Sequence, residues 1–284
     1  MKVVTRQRYA VALQQVLDWL LAHLDEPMDF YRLADEACLS PFHFHRVYRG
    51  LTGETPQDTQ RRMRLHRAAV ALCGSSQGIA RLARTAGYGS VQAFSRAFRE
   101  AYGEAPTAYR ARTQAVAPLT FPPFQEHTNM YQVEIRTLSP QSVAAMAHCG
   151  NYQAIGETFE RLNAWAAGQG LAVAQSRSFG IYYDDPLSQP VAALRADACI
   201  EAPDNLMLSA PLRRLQTPGG RCAVLEFVGP YAELDQAYHW LYSQWLPNSG
   251  EQPGEAPCFE EYLNDVRSVP PAQLRTAICI PLAG

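Results

Sequence analysis

The chain has 284 residues, of which 47% are hydrophobic and 18% are charged. That length is typical of two domains, and the composition excludes an intrinsically disordered protein because each half can bury a core. No run approaches the ~20 apolar residues that span a bilayer, and the first residues, MKVVTRQRYA, lack the apolar run of a signal peptide. We therefore expect a cytoplasmic protein that does not enter the membrane. Seven scattered cysteines without a Cys-x-x-Cys pair predict buried free thiols rather than disulfides or structural zinc.

Charge is divided unevenly along the chain. Residues 1–112 hold 16 Lys and Arg against 10 Asp and Glu, whereas residues 113–284 hold 9 against 17. Lys2 is the only lysine, so the basic half presents arginine, which bonds phosphate and guanine in a bidentate way. A basic half joined to an acidic half indicates two kinds of partner, one of them a polyanion.

The predicted elements of the first half are all helices. Apolar residues at helical spacing predict a first helix with one buried face, and they are Leu13, Val16, Leu17, Leu20, Leu21 and Leu24. A second helix is expected over residues 29–38, and a third begins at Ser40-Pro41, with serine as N-cap and proline at the first helical position. A longer helix follows over 56–73, and a further helix, turn and helix over 77–102.

The second half has a different pattern. Residues 113–130 contain three prolines and no helical period, which is typical of a linker. Beyond it lie short β-type runs at 133–138, 142–148, 178–184, 194–202, 221–228, 258–263 and 274–283. Two helical stretches, 152–168 and 231–245, interrupt them. The pattern predicts an α+β domain over 131–284, after an all-α domain over 1–112.

The all-α half repeats itself at a spacing of fifty residues. The matched pairs are Ser40 and Ser90, Phe44 and Phe94, Arg46 and Arg96, Gly53 and Gly103, and Pro56 and Pro106. Each unit has a short helix, a turn, a second helix that starts at a serine, and a glycine stop. We interpret the two units as helix-turn-helix motifs.

The second helix of each unit presents a polar face opposite its apolar one. At 100° per residue, the two polar faces give our candidate DNA-binding residues, Phe42, His45, Arg46 and Arg49 in the first unit and Gln92, Ser95, Arg96 and Arg99 in the second. Arginine suits guanine or phosphate, glutamine suits adenine, and an aromatic edge suits the thymine methyl group. The alternative is that both are ordinary solvated faces. Two such faces at one offset in a basic half favour DNA.

The α+β half is also duplicated. Gly150-Asn151-Tyr152 and Gly229-Pro230-Tyr231 each follow a β-type run and begin a helical stretch, at an offset of 79 residues. The offset slips to 80 by the tryptophans Trp165 and Trp245. Two strand-helix-strand halves predict a domain with pseudo-twofold symmetry and a cleft between the halves, where ligand sites often lie.

Residues 8–112 resemble the AraC/XylS family of regulators, above all in the stretch IARLARTAGYGSVQAFSRAFREAYGEAPTAYR. The resemblance implies that Phe42, His45 and Arg46, and then Gln92, Ser95 and Arg96, enter successive segments of the major groove of double-stranded DNA. It also implies RNA polymerase as a partner. His45 departs from the family pattern, as does Val91, so the target sequence stays open.

Residues 131–284 resemble the GyrI-like effector-binding domain, through HCGNY, YYDDP, PGG, GPY, WLPNSG and FEEYLND. The resemblance implies an acidic residue on a central strand, which by motif position is Glu260, among aromatic residues that bind an amphipathic, often cationic, small molecule. The candidates are Tyr152, Trp165, Tyr182, Tyr231, Trp240 and Tyr262. A carboxylate among rings is costly to bury alone and attracts a cation. A satisfied strand carboxylate and plain aromatic packing are the alternatives.

Catalytic motifs are not found in the sequence. It has no phosphate loop, Gly-x-Ser-x-Gly elbow or His-Glu-x-x-His helix, so we expect no catalytic residue, cofactor or metal. Two alternatives stay open for the GyrI-like half: a hydrolase of a reactive small molecule that uses Glu260 and a nearby tyrosine, or a protein-interaction module. A monomer and a homodimer are both compatible with two reading helices in one chain.

Overall fold

The computed structural model describes residues 2–111, Val116 and residues 130–284. Its N-terminal part is helical throughout, as predicted. The helices are α1 (Lys2–Ala22), α2 (Phe30–Glu36), α3 (Pro41–Thr52), α4 (Pro56–Gly74), α5 (Ile79–Thr85), α6 (Val91–Tyr102) and α7 (Pro106–Ala111). Both helix-turn-helix units are present, with α2 and α3 in the first and α5 and α6 in the second.

Each unit has its own core, and α4 contributes to both. Phe44 and Met63 are buried in the cluster of the first unit, while Phe94 and Leu72 are buried in that of the second. Helices α3 and α6 both end at a left-handed glycine. Ser90 caps α6 through a hydrogen bond from the Ala93 amide, 3.1 Å, whereas the side chain at the N-cap of α3 makes no capping hydrogen bond.

The C-terminal part is built on one eight-stranded antiparallel sheet. The strands are β1 (Val133–Leu138), β2 (Ser142–Cys149), β3 (Ser178–Tyr182), β4 (Arg195–Glu201), β5 (Leu212–Gln216), β6 (Gly220–Val228), β7 (Cys258–Tyr262) and β8 (Arg275–Pro281). Their order is β1-β6-β8-β7-β3-β4-β2-β5. The β-type runs of the sequence predict seven of them. β5, with the sequence LRRLQ, was missed because two adjacent arginines interrupt the apolar alternation of a strand.

The duplication gives the sheet its two halves. β3 and β7 pair at the centre, with Gly180 opposite Glu260. Helix α8 (Ile155–Gly168) packs on the half that contains β2 and β4. Helix α9 (Leu234–Trp240) packs on the half that contains β6 and β8. The two helices therefore flank the central strand pair on one face of the sheet, and we call the region between them the cleft. The predicted α+β fold is confirmed.

The one-residue slip in the repeat has a structural counterpart. Helix α9 continues through a π-helical turn, Leu241–Trp245, into α10 (Leu246–Ser249). A π turn closes its hydrogen bonds one residue later than an α turn, so it accommodates the extra residue that separates the two repeats. The matching stretch of α8 is α-helical.

The N-terminal and C-terminal parts share an apolar core. Tyr9 of α1 and Val47 and Leu51 of α3 are buried in one cluster with Trp240 and Leu246. The linker predicted over 113–130 falls outside the described residues, apart from Val116 and Met130. Among the described helices, none combines the length and apolarity that a membrane span requires.

Candidate functional site

Glu260 lies at the centre of the cleft, where only 3% of its surface is exposed. The Tyr238 hydroxyl donates to one carboxylate oxygen at 3.1 Å and the Tyr262 hydroxyl donates to the other at 3.0 Å. The hydroxyls of Tyr262 and Tyr182 are 2.8 Å apart. Gly180 leaves room for this arrangement, because a Cβ there would come within 2.7 Å of the Tyr262 oxygen. The carboxylate is therefore fully enclosed and held by neutral donors.

Burial sets the ionisation of Glu260. Loss of solvent raises the pKa of its carboxyl group to about 7, while hydrogen bonds from tyrosine hydroxyls and the charge of Arg46 act in the opposite direction. The group can therefore gain or lose its charge near neutral pH. When ionised, it is a negative charge among aromatic side chains, an environment that favours an organic cation.

Four of the six aromatic candidates meet at this carboxylate or beside it. The ring of Tyr182 is 5.0 Å from that of Tyr152, and the ring of Tyr262 is 5.4 Å from that of Tyr231. Trp165, near the end of α8, is partly buried and packs against the apolar cluster between α8 and the sheet. Trp240 lies in the cluster beneath α9, with its ring 5.3 Å from that of Tyr131.

Tyr238 was missed as a cleft residue and is the aromatic side chain that reaches Glu260 from α9. It stands two positions before Trp240, so the helical turn of about 200° places these side chains on different sides. A signal was present, since Tyr238 occupies the position in the second repeat that Phe159 occupies in the first. Phe159 also borders the cleft, with its ring 5.4 Å from that of Tyr262.

The polar face of α6 lies in solvent. Gln92, Arg96 and Arg99 are exposed and Ser95 is partly exposed. Phe94 and Phe98 on the opposite side are fully buried. This geometry matches what a groove-reading helix requires, because the side chains that would contact bases are free to do so.

The polar face of α3 lies against the C-terminal part, so in this conformation it is closed to the DNA groove that the sequence predicts for it. Arg46 is only 5% exposed. Its guanidinium donates to Cys258 Sγ and to the Asp184 carbonyl, each at 2.9 Å. It also lies 5.3 Å from the ring centre of Tyr238. Arg46 therefore enters the cleft at its Cys258 end, on the same face of β7 as Glu260.

The neighbours of Arg46 on α3 are docked as well. His43 bonds the Tyr242 hydroxyl at 2.7 Å and the Ala256 carbonyl at 2.8 Å, and burial lowers its pKa to about 3. His45 is also buried, which lowers its pKa to about 4. Arg49 pairs with the buried Asp185 at 3.3 Å.

Phe42 completes the docked face, with its ring 6.0 Å from that of Tyr183. All four candidate DNA-binding residues of the first unit therefore contact or face the C-terminal part in this conformation. Groove chemistry and cleft chemistry require the same residue types, so their pattern on the helix did not distinguish the two environments.

The arginines of α4 are engaged within the N-terminal part. Arg61 pairs with Asp58 at 2.9 Å and Arg62 pairs with Glu54 at 2.7 Å. Arg67 pairs with Asp25. These contacts favour a structural role for the basic face of α4.

The described residues contain no cluster of His, Cys, Asp and Glu that could hold a metal ion. His148 and Cys149 on β2 point to opposite sides of the sheet, and His148 bonds the Thr158 hydroxyl at 3.0 Å. Cys38, Cys73 and Cys149 are exposed free thiols and the other four cysteines are buried free thiols. The prediction of buried thiols therefore holds for four of the seven.

The model of the GyrI-like small molecule binding domain matches residues 131–283. The chain belongs to this family. A helix-turn-helix domain model matches residues 33–112. An AraC-type helix-turn-helix domain followed by a GyrI-like domain is the domain arrangement of a transcription regulator.

Three curated relatives illustrate the two halves. A DNA gyrase inhibitor of Edwardsiella piscicida is 35% identical over 144 residues, which cover 48% of this chain and 90% of the relative. The probable transcriptional regulator YgiV of Escherichia coli K12 is 30% identical over 146 residues, 50% of this chain and 89% of the relative. The regulatory protein SoxS of the same strain is 34% identical over 100 residues, 35% of this chain and 94% of the relative.

Proposed function

We propose that this protein is a DNA-binding transcription regulator whose GyrI-like domain senses an amphipathic organic cation. The observation that carries the proposal is Glu260, a buried carboxylate held by tyrosine hydroxyls at the centre of an aromatic cleft. A carboxylate desolvated to this extent gains most from a partner that brings positive charge and apolar surface together. Tyr152, Tyr182, Tyr231, Tyr238 and Tyr262 would supply the rings.

Cation binding is tested by calorimetry on the full chain with tetraphenylphosphonium. Tetraphenylborate, which has the same shape and the opposite charge, is the matched control. We expect binding of the cation alone, and Glu260→Gln should weaken it at least about tenfold, the loss expected for one desolvated charge contact. Equal affinity for the two ions, or an unchanged affinity in Glu260→Gln, would refute the role of the carboxylate.

For DNA, we propose that α6 and α3 read successive major-groove segments, with Gln92, Ser95, Arg96 and Arg99 in the second segment. Half-sites should then lie roughly 34 Å apart. Duplexes selected from genomic fragments can be titrated by fluorescence anisotropy at several salt concentrations. We expect affinity to fall steeply with salt, and Arg96→Ala to cost about 1–3 kcal/mol with relaxed specificity at one position. A flat salt response would contradict the proposal.

The partner at promoters would be RNA polymerase, as for regulators with this domain arrangement. A single chain can act as a monomer because it carries both of the helices proposed to read DNA. Occupancy across the genome, with and without tetraphenylphosphonium in the medium, would identify the operators. Sedimentation of the full chain bound to one selected duplex would distinguish a monomer from a homodimer.

A second candidate function is hydrolysis of a reactive small molecule in the same cleft. It is favoured by the pKa of about 7 at Glu260, which suits a general acid or base, and by the hydroxyl of Tyr262 at 3.0 Å. Mass spectrometry of a panel of electrophiles incubated with the protein tests it. Turnover that is lost in Glu260→Gln would support catalysis. If every compound remains unaltered, hydrolysis is refuted and ligand binding remains as the function of the cleft.

A further inference from the structure

Arg46 is bound in the cleft as an organic cation would be. Its acceptors, the Cys258 sulfur and the carbonyl oxygens of Phe42 and Asp184, are neutral groups. The faces of Tyr238 and Tyr242 lie 5.3 and 6.0 Å from its guanidinium carbon. A buried cation needs such partners because it has lost its hydration. The cleft therefore already holds a positive charge, supplied by the chain itself.

The site of Arg46 overlaps the environment of Glu260. Tyr238 contributes its ring to Arg46 and its hydroxyl to Glu260. Cys258, which accepts from Arg46, stands two residues before Glu260 on β7, and side chains two apart share a face. A second cation near Glu260 would meet the charge of Arg46 at close range in a poorly solvated space, which is strongly unfavourable.

The position of Arg46 depends on how α3 sits on the C-terminal part. Gly50 faces the π turn that follows α9, and a Cβ there would lie 2.8 Å from the Tyr242 carbonyl oxygen and 3.0 Å from the Ser243 nitrogen. These are backbone atoms, so a side chain at position 50 would push α3 away. The docked helix buries the face that would enter DNA, so docking and groove reading by α3 exclude each other.

We propose that Arg46 is a tethered competitor, a DNA-reading arginine that occupies the cation site of the cleft until an organic cation displaces it and releases α3. The inference rests on the proposed function of the cleft and adds how that site controls the first reading helix. Ligand binding and DNA binding by α3 then support each other, because both require the undocked state. If the docked state makes up about 90–99% of the free protein, the apparent affinity for a cation is weakened about 10- to 100-fold.

The test measures tetraphenylphosphonium affinity by calorimetry in the full chain and four variants. Gly50→Ala undocks α3 without altering Arg46 or the cleft, and Arg46→Ala removes the competing charge. We expect both to raise cation affinity about tenfold or more over the unaltered chain. Arg81→Ala, the same substitution at an exposed arginine of α5 that lies outside both proposed sites, should bind the cation as the unaltered chain does. Glu260→Gln reports on the cleft itself.

DNA supplies the second readout. In the unaltered chain, saturating tetraphenylphosphonium should raise affinity for a selected duplex that contains both half-sites. In Gly50→Ala the affinity should be high from the start and respond little to the cation. Hydrogen exchange of the α3 amides should rise on addition of the cation, whereas that of the α6 amides should not.

The outcomes distinguish competition by Arg46 from cation sensing itself. Cation affinity that falls in Glu260→Gln but is the same in the unaltered chain, Gly50→Ala and Arg46→Ala would overturn the competition and leave cation sensing in place. A cation that lowers DNA affinity would also overturn it. Absence of cation binding in every variant would overturn both proposals.

Discussion

Helices α3 and α6 are two copies of one element in opposite surroundings. Both have 12 residues, both end at a left-handed glycine, and both bury a phenylalanine at the same position. Yet Arg46 is buried against an aromatic cleft while Arg96 lies in solvent. An arginine-rich helix face is thus compatible with a polyanionic groove and with an acidic, aromatic cleft. The partner that such a face contacts depends on the neighbours available, not on the face alone.

The residues that differ between the copies explain why α3 docks and α6 does not. Val47 and Leu51 are buried in the cluster beneath α9, and they correspond to the smaller Ala97 and Ala101 of α6. Gly50, which touches the π turn, corresponds to a glutamate in α6. The chain therefore gives one copy an apolar, closely fitting side that the other lacks.

The largest expected effect tests what the copies share. Phe44 and Phe94 are 1% and 0% exposed at equivalent positions, so replacing either by alanine should leave a cavity. We expect each substitution to lower the free energy of unfolding by about 3–5 kcal/mol. Urea denaturation followed by circular dichroism measures it. A much smaller loss at Phe94 alone would show that the second unit is loosely packed and that the copies differ inside as well as outside.

The architecture that α3 and α6 share could be predicted from sequence, but the surroundings of their polar faces could not. The fifty-residue repeat and the alternation of β-type runs follow local periodicity, which the fold preserves. The position of Glu260 on a central strand came from the resemblance to the GyrI-like domain. The docking of Arg46 on Cys258 joins residues 212 positions apart, and no local pattern reports such a contact. Val47 and Leu51 offered a hint, since they give the first copy more apolar surface than its own core requires.

Acid should act on α3 and leave α6 unaffected. His43 and His45 dock as neutral rings because burial lowers their pKa values to about 3 and 4. The undocked rings titrate near 6.5, so protons favour the undocked state and docking weakens as pH falls from about 6.5 toward 4. At pH 5 each histidine should disfavour docking by about 2 kcal/mol. The neighbouring charges are Arg46, which opposes protonation, and Asp184 and Asp185, which favour it at His45.

The measurement is hydrogen exchange of the two helices between pH 7 and pH 5, corrected for intrinsic exchange rates. α3 should lose protection and α6 should keep it. His43→Gln, which retains a donor and an acceptor, should roughly halve the pH dependence. Equal loss in the two helices would indicate general acid unfolding instead of undocking.

Matched arginines give a smaller contrast. Arg49 pairs with Asp185, whose side chain is only 1% exposed, whereas the equivalent Arg99 is exposed. Arg49→Ala removes the ion-pair partner of a buried carboxylate and should cost about 1–3 kcal/mol, the usual penalty when a buried polar group loses its partner. Arg99→Ala should change stability by less than about 0.5 kcal/mol. Thermal unfolding of the two variants side by side measures the difference, and equal losses would contradict a docked α3.

The smallest expected effect concerns the turns that precede the two helices. Both turns make the same hydrogen bonds, and their left-handed position is Cys38 in the first unit, with φ of 51°, and Gly87 in the second, with φ of 84°. A side chain in this conformation costs about 1–2 kcal/mol relative to glycine, and glycine loses part of that gain through its more flexible unfolded state. Cys38→Gly should therefore stabilise the chain by up to about 1 kcal/mol.

Gly87→Ala should destabilise the chain by more than that, because its Cβ would also meet the Arg64 guanidinium at 2.9 Å. Urea midpoints measure both, and a destabilising Cys38→Gly would show that the thiol makes contacts that outweigh the backbone strain.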